Sequence, residues 1–185
     1  GESEYLAWRH SLGNAMSHVM RSDQIPNDAG IAIEYRLNGR RFRLDFVISG
    51  QDKLGKESLV IIELKQWKSV EFSDLAEHVR TALGGGIRDV IHPSYQAWSY
   101  KSHLEMFNEF VYEENVKVGA CAYLHNCKDN SVINNSRYEN ALQRAPIFLH
   151  GEHLKLQELI QLQIVKGLGT ELLEKIDAAP IRPSK

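Results

Sequence analysis

The run Leu59-Val60-Ile61-Ile62-Glu63-Leu64-Lys65 decides the fold. Four consecutive aliphatic residues, three of them β-branched, predict a strand, here over Leu59–Gln66. A run without polar alternation marks a strand buried on both faces, as in sheets covered by helices on each side. Side chains alternate along a strand, so Glu63 and Lys65 share one face. Charged groups in such a setting are costly unless they are partnered.

Upstream, Arg40–Ile48 reads as a second strand. Phe42, Leu44, Phe46 and Ile48 alternate with Arg41, Arg43, Asp45 and Val47. A first strand, Ile31–Leu37, is joined to it by Asn38-Gly39, a strong two-residue hairpin signal. A polar loop, Ser49–Glu57, leads to the third strand. Ahead of the meander, Ser3–Met20 reads as a helix with Ser3 as N-cap and Tyr5, Trp8, Leu12, Met16 and Val19 as its apolar stripe.

Downstream, Gly84-Gly85-Gly86 divides a predicted hairpin, Glu77–His92. No Gly-Lys-Ser/Thr follows it, so it is not a phosphate loop. Pro93 opens a helix expected to reach Asn115. A buried strand over Val116–His125, a polar loop over Asn126–Asn135, a short strand over Pro146–His150 and helices over Glu152–Val165 and Thr170–Ala178 complete the pattern. The expected class is α/β, a mixed β-sheet flanked by helices. Residues 1–178 form one domain in this reading, and 179–185 a linker.

Composition agrees with a globular domain. Of 185 residues, 43% are hydrophobic and 25% charged, which excludes a disordered chain, a collagen-like fibre and a coiled coil. Lys and Arg number 22 against 24 Asp and Glu, a net charge of −2, so nucleic-acid binding has to rest on a local patch. Cys121 and Cys127 match neither a disulfide framework nor a zinc signature. The longest apolar stretch, Val118–Leu124, falls far short of the ~18 residues of a membrane span. No signal peptide is recognisable. The expectation is a cytoplasmic protein with no membrane partner.

The chemistry centres on Asp45, Glu63 and Lys65. If the second and third strands pair as a hairpin, Asp45 lies beside Glu63. Two carboxylates among apolar side chains repel unless something neutralises them, and hard oxygen ligands suit Mg²⁺ or Mn²⁺. The carbonyl of Leu64 is a further candidate ligand. Lys65 can orient or help deprotonate a water, or stabilise charge growing on a phosphate. Gln96 and Tyr100, four apart on the long helix, share a face and can hydrogen-bond a phosphate or a base. Arg80, Arg88 and His92 on the hairpin form a candidate basic surface for nucleic-acid phosphates. His10, His18, His103, His125, His150 and His153 read as surface or packing residues.

Asp45, Glu63-Leu64-Lys65 and Gln96-x-x-x-Tyr100, in this order of elements, resemble the PD-(D/E)XK nuclease superfamily, nearest its RecB-like branch. Leu44 stands where the motif's name has Pro, a position without chemistry. The resemblance implies a restriction-endonuclease-like core, a Mg²⁺- or Mn²⁺-dependent nuclease, and an extra acidic ligand from the first helix, for which Glu4 is the best match and Glu2 the second. A narrower similarity involves Val79-Arg80-Thr81, Gly84-Gly85-Gly86, His92-Pro93-Ser94-Tyr95-Gln96-Ala97 and Ile181-Arg182-Pro183-Ser184-Lys185. These look like the amino-terminal region of bacterial proteins in which a nuclease-like domain precedes a Schlafen-type DNA/RNA helicase domain. That similarity implies a nuclease domain from a longer nuclease–helicase, acting on nucleic acid, DNA before RNA, in anti-phage defence or DNA processing. The competing expectation is a non-catalytic nucleic-acid-binding or regulatory module that kept the nuclease fold.

Overall fold

The computed structural model describes residues 13–36, 42–167 and 169–182. Its main sheet is built outward from the buried run. Strands β1 (Gly30–Arg36), β2 (Arg43–Gln51) and β3 (Glu57–Lys65) form an antiparallel meander. On the other side of β3, β7 (Lys117–Leu124) and then β8 (Ile147–Leu149) add in parallel, giving the mixed order β1-β2-β3-β7-β8.

β3 therefore has a strand on each side, and helices cover both its faces. Val60 and Ile62 join Phe46 and Ile48 on one face, beneath α1 (Gly13–Met20) and α5 (His153–Gln163) through Met16, Val19, Leu156 and Ile160. Leu59 and Ile61 join Val47 on the other, beneath α2 (Pro93–Phe107) and α6 (Gly169–Ala178) through Ala97, Leu104, Leu172 and Ile176. Burial on both faces is the physical reason for the unbroken apolar run. The mixed sheet flanked by helices agrees with the sequence reading.

The crossover from β3 to its parallel neighbour β7 carries a second sheet and α2. That sheet has the order β4 (Glu71–Phe72), β5 (His78–Leu83), β6 (Gly86–Ile91). The β5–β6 hairpin is the expected one, and Gly84 and Gly85 both take positive φ in its turn, at 59° and 85°. The two-residue β4 has no sequence signature of its own.

Two boundaries differ from expectation. The loop before β3 is only five residues, because Oδ1 of Asp52 accepts from the N–H groups of Leu54 and Lys56 and closes a tight turn. The long helix does not reach Asn115 but stops at Phe107. Asn108 turns extended, and its Oδ1 accepts from Val111 N to cap a new short helix, α3 (Glu109–Glu113). Its Nδ2 donates to the carbonyl of Ile176. Asparagine's preference for capping wins over helix continuation here. The same residue bridges Ile181, and Arg182 N donates to Phe107 O, so residues 180–182 pack onto this corner. Helix α4 (Glu139–Arg144) precedes β8. The Asn38-Gly39 turn and the first part of the predicted Ser3–Met20 helix lie outside the described residues.

Candidate active site

The β2–β3 ladder pairs Phe46 with Ile62 as its last register position toward the C-terminal end of β3. Beyond it the alternation of β2 breaks, because Leu44 packs with Val47 on the α2 face whereas Phe46 and Ile48 pack on the other, and Asp45 at this break acts on the Glu63 carboxyl. The Leu64 N–H donates not to a β2 carbonyl but to Oδ2 of Asp45, at 2.9 Å. A side chain thus takes over where the ladder ends, and it fixes the Asp45 carboxylate beside β3.

Glu63 is only 2% exposed. Its Oε1 lies 3.2 Å from Lys65 Nζ, while its Oε2 is buried and without a hydrogen-bond partner. Burial first, and then the charge of Asp45, push the Glu63 carboxyl up to about 8; Lys65 pulls in the opposite direction. A buried carboxylate oxygen with nothing to bind is expensive, and it marks a place for a proton or a cation.

Lys65 runs from Glu63 into a cleft of about 450 Å³, and its ammonium lies 5.4 Å from the centre of the Trp67 ring. Gln96 lines the same cleft, and its Nε2 donates to the Tyr100 hydroxyl at 2.8 Å. Burial and the nearby Glu63 raise the Tyr100 hydroxyl above its ordinary value. The i, i+4 pair from α2 is thus brought to the carboxylates, as its spacing suggested. β6, an edge strand of the second sheet among the described residues, adds the consecutive Asp89, Val90 and Ile91 to the cleft lining.

His92 is corrected. It is fully buried, its Nδ1 accepts from Ser94 N, and its Nε2 bonds the carbonyl of Ile133 at 2.9 Å. It caps α2, and Pro93 follows at the first helical position. Burial holds its pKa low, so this neutral cap is closed to a phosphate. The Arg80–Arg88 surface also changes. Arg80 lies opposite Asp89, 3.6 Å from its carboxylate, whereas Arg88 lies opposite Thr81. Cross-strand partners share a face, so the two arginines point to opposite faces of the hairpin. Glu4 and Glu2 lie outside the described residues.

Two features escaped the sequence reading. Trp67 and Asp89 line the cleft, although neither sits in a motif. His18, His125, His150 and His153 converge on a second cleft of about 410 Å³, from elements far apart in sequence. Among the described residues no group of three or more His, Cys, Asp or Glu side chains could hold a metal ion, so neither the histidines nor the Asp45–Glu63 pair forms such a group. Among the described residues, too, no helix is long and apolar enough to cross a membrane. No family model, curated protein or solved structure matches the chain.

Proposed function

We propose that this chain is a metal-dependent nuclease domain with a restriction-endonuclease-like core of the PD-(D/E)XK type. The observation that carries the reading is the half-buried Asp45 beside the buried Glu63, with Glu63 Oε2 unpartnered and Lys65 leading from it into a cleft. The donor set is all oxygen and acidic, which suits Mg²⁺ or Mn²⁺. Asp45, Glu63 and the Leu64 carbonyl would hold the ion, and Glu4 would add a further carboxylate. When bound, the ion supplies charge neutralisation and Lewis-acid activation of a phosphodiester.

The remaining chemistry belongs to the chain's own residues. Lys65 places a positive charge where a water attacks phosphorus and where charge accumulates on the phosphate oxygens. One P–O ester bond breaks as the new one forms, and the water's proton ends on the leaving alkoxide. Gln96 and Tyr100, already bonded to each other, orient Lys65 or the substrate. Arg80 supplies a phosphate contact on the face of the hairpin that carries His78, Asp89 and Ile91, and Arg88, on the other face, stands apart from it. DNA is the preferred substrate, in the cytoplasm, with a helicase domain on the same polypeptide providing most of the affinity, in anti-phage defence or DNA processing.

The 3.2 Å Lys65–Glu63 pair also favours a second reading, a non-catalytic nucleic-acid-binding or regulatory module whose carboxylate is neutralised internally. One experiment separates the two. Purified protein is incubated with plasmid and single-stranded DNA in Mg²⁺, Mn²⁺ or EDTA. Cleavage with either metal that disappears in EDTA and in the Glu63→Gln variant supports the enzyme. Binding without cleavage supports the module.

A further inference from the structure

Helix α2 presents a second face beside the one that carries Gln96 and Tyr100. Tyr95, Trp98, Ser99, Ser102, His103 and Met106 recur at intervals of three and four, forming one stripe. With Phe42 and Phe107 they line an open groove of about 330 Å³. Met106 is 59% exposed within it.

Its rings form two groups. Phe42 lies 5.6 Å from Tyr100 and 4.4 Å from His103, and His103 lies 5.0 Å from Phe107, centre to centre. Tyr95 meets Trp98 edge-on at 5.5 Å. The first group starts at the Tyr100 ring, whose hydroxyl bonds Gln96 at the cleft, and leads away along α2 to Phe107. Cations stand at the borders of the groove. The Arg144 guanidinium lies 4.6 Å over the Trp98 ring. Arg43, 3.8 Å from Glu34, opens β2 directly after Phe42, a residue of the groove.

We infer that this groove binds unpaired nucleobases, so that the substrate is a single strand whose bases stack along Phe42, His103 and Trp98 while its backbone reaches Asp45 and Glu63. The inference rests on the nuclease reading for what happens at the cleft. Rings bordered by arginines fit a π-faced, anionic polymer, and continuity with Tyr100 gives the strand a path to the carboxylates. Duplex bases already cover one another's faces, and only an unpaired base can offer its face to a protein ring.

The test measures binding in EDTA by fluorescence anisotropy. The probes are an oligothymidylate of about ten nucleotides, an abasic strand of the same length and a duplex. Wild-type protein should bind the oligothymidylate more tightly than either other probe. Trp98→Ala and His103→Ala should each weaken oligothymidylate binding about tenfold, the lower part of the range for one lost base stack. Neither should change the salt slope or the abasic affinity, and Trp98→Phe should retain binding. If Trp98→Ala does not fold, His103→Ala and Met106→Glu, at an exposed position, carry the same test. Equal binding of abasic and base-bearing strands overturns the inference, as does wild-type affinity in the groove variants. Base-dependent binding in a protein that never cleaves with Mg²⁺ or Mn²⁺ leaves the groove standing and removes the nuclease reading. Metal-dependent cleavage with base-independent binding does the reverse.

Discussion

Leu64 donates its backbone N–H to the Asp45 carboxylate at 2.9 Å, at the point where the β2–β3 ladder stops. Asp45 is thus a structural partner of β3 and a candidate ligand at once. Its second role needs only its other oxygen and its charge.

Asparagine at position 45 keeps an oxygen for the Leu64 N–H, and glutamine at 63 keeps the shape of the buried side chain. Asp45→Asn and Glu63→Gln should therefore fold, and each should lower metal-dependent cleavage by at least ~10²-fold. In EDTA above about pH 8, where both carboxylates are charged, their melting temperatures should equal or exceed that of the wild type, because the repulsion between the two is removed. Calorimetric titration with Mn²⁺ beside thermal melts checks both halves. Wild-type cleavage by either variant removes the assignment.

The raised Glu63 carboxyl makes stability depend on pH in a definite direction. In the folded chain it keeps its proton until about pH 8, whereas unfolded it ionises near ~4.3. Between those values the folded state binds more protons, so Glu63's contribution to stability falls as pH rises and levels off above about 8. A metal held by Glu63 would displace that proton. Mn²⁺ affinity should rise about tenfold per pH unit below the Glu63 pKa and flatten above it. Denaturant melts of wild type and Glu63→Gln across this range give the first trend as their difference, and calorimetry gives the second. A flat affinity profile from pH 6 to pH 9 would show that Glu63 holds no metal.

Lys65 touches the same balance from the other side. It is the charge that draws Glu63 downward, so Lys65→Ala should move the metal-binding profile to higher pH. At pH 9 Mn²⁺ affinity should stay within several-fold of wild type while turnover falls ~10²–10³-fold, the loss expected when a group acts in the transition state. Loss of metal binding at every pH would instead make Lys65 a structural partner of the carboxylates.

The centre of the sheet and its Glu63–Lys65 pair were legible because one cause wrote both signals. A strand covered on both faces must be apolar throughout, so Glu63 and Lys65 stand out at the end of β3. The alternation along β2 puts Leu44 with Phe46 and Ile48, whereas Leu44 packs on the α2 face, so strand period alone does not place Asp45. Gln96 and Tyr100 were legible at helical period. What stayed hidden depends on long-range contact. β4 exists only because β5 offers it an edge. Asn108 breaks the helix because Ile176 and Ile181 come to meet it. His92 looked like a surface cation in a polar stretch, yet Ile133, forty-one positions on, bonds and buries it. The histidine cleft and the aromatic groove likewise gather residues that no local spacing connects.

The hairpin arginines supply the last test, and the register sharpens it. Arg80 lies opposite Asp89, a residue of the cleft wall, and the two share a face with His78 and Ile91, which line the same wall. Arg88 shares its face with the buried Thr81, whose hydroxyl donates to Ser69 O and ties that face to the body of the protein. On the nuclease reading, a strand entering the cleft would meet Asp89 and, beside it, Arg80, which it would draw from Asp89 toward a phosphate. Arg80→Ala should flatten the plot of log affinity against log salt by roughly 0.7 to 0.9, the lower figure for single strands. Affinity should fall about equally for all sequences, since phosphates carry no base information. Arg88→Ala should leave the slope unchanged, and the double variant should match Arg80→Ala alone. Salt titrations of the four proteins in EDTA decide it. A slope change from Arg88→Ala equal to that from Arg80→Ala would mean that nucleic acid wraps both faces of the hairpin, and the path through the cleft would have to be redrawn around its tip.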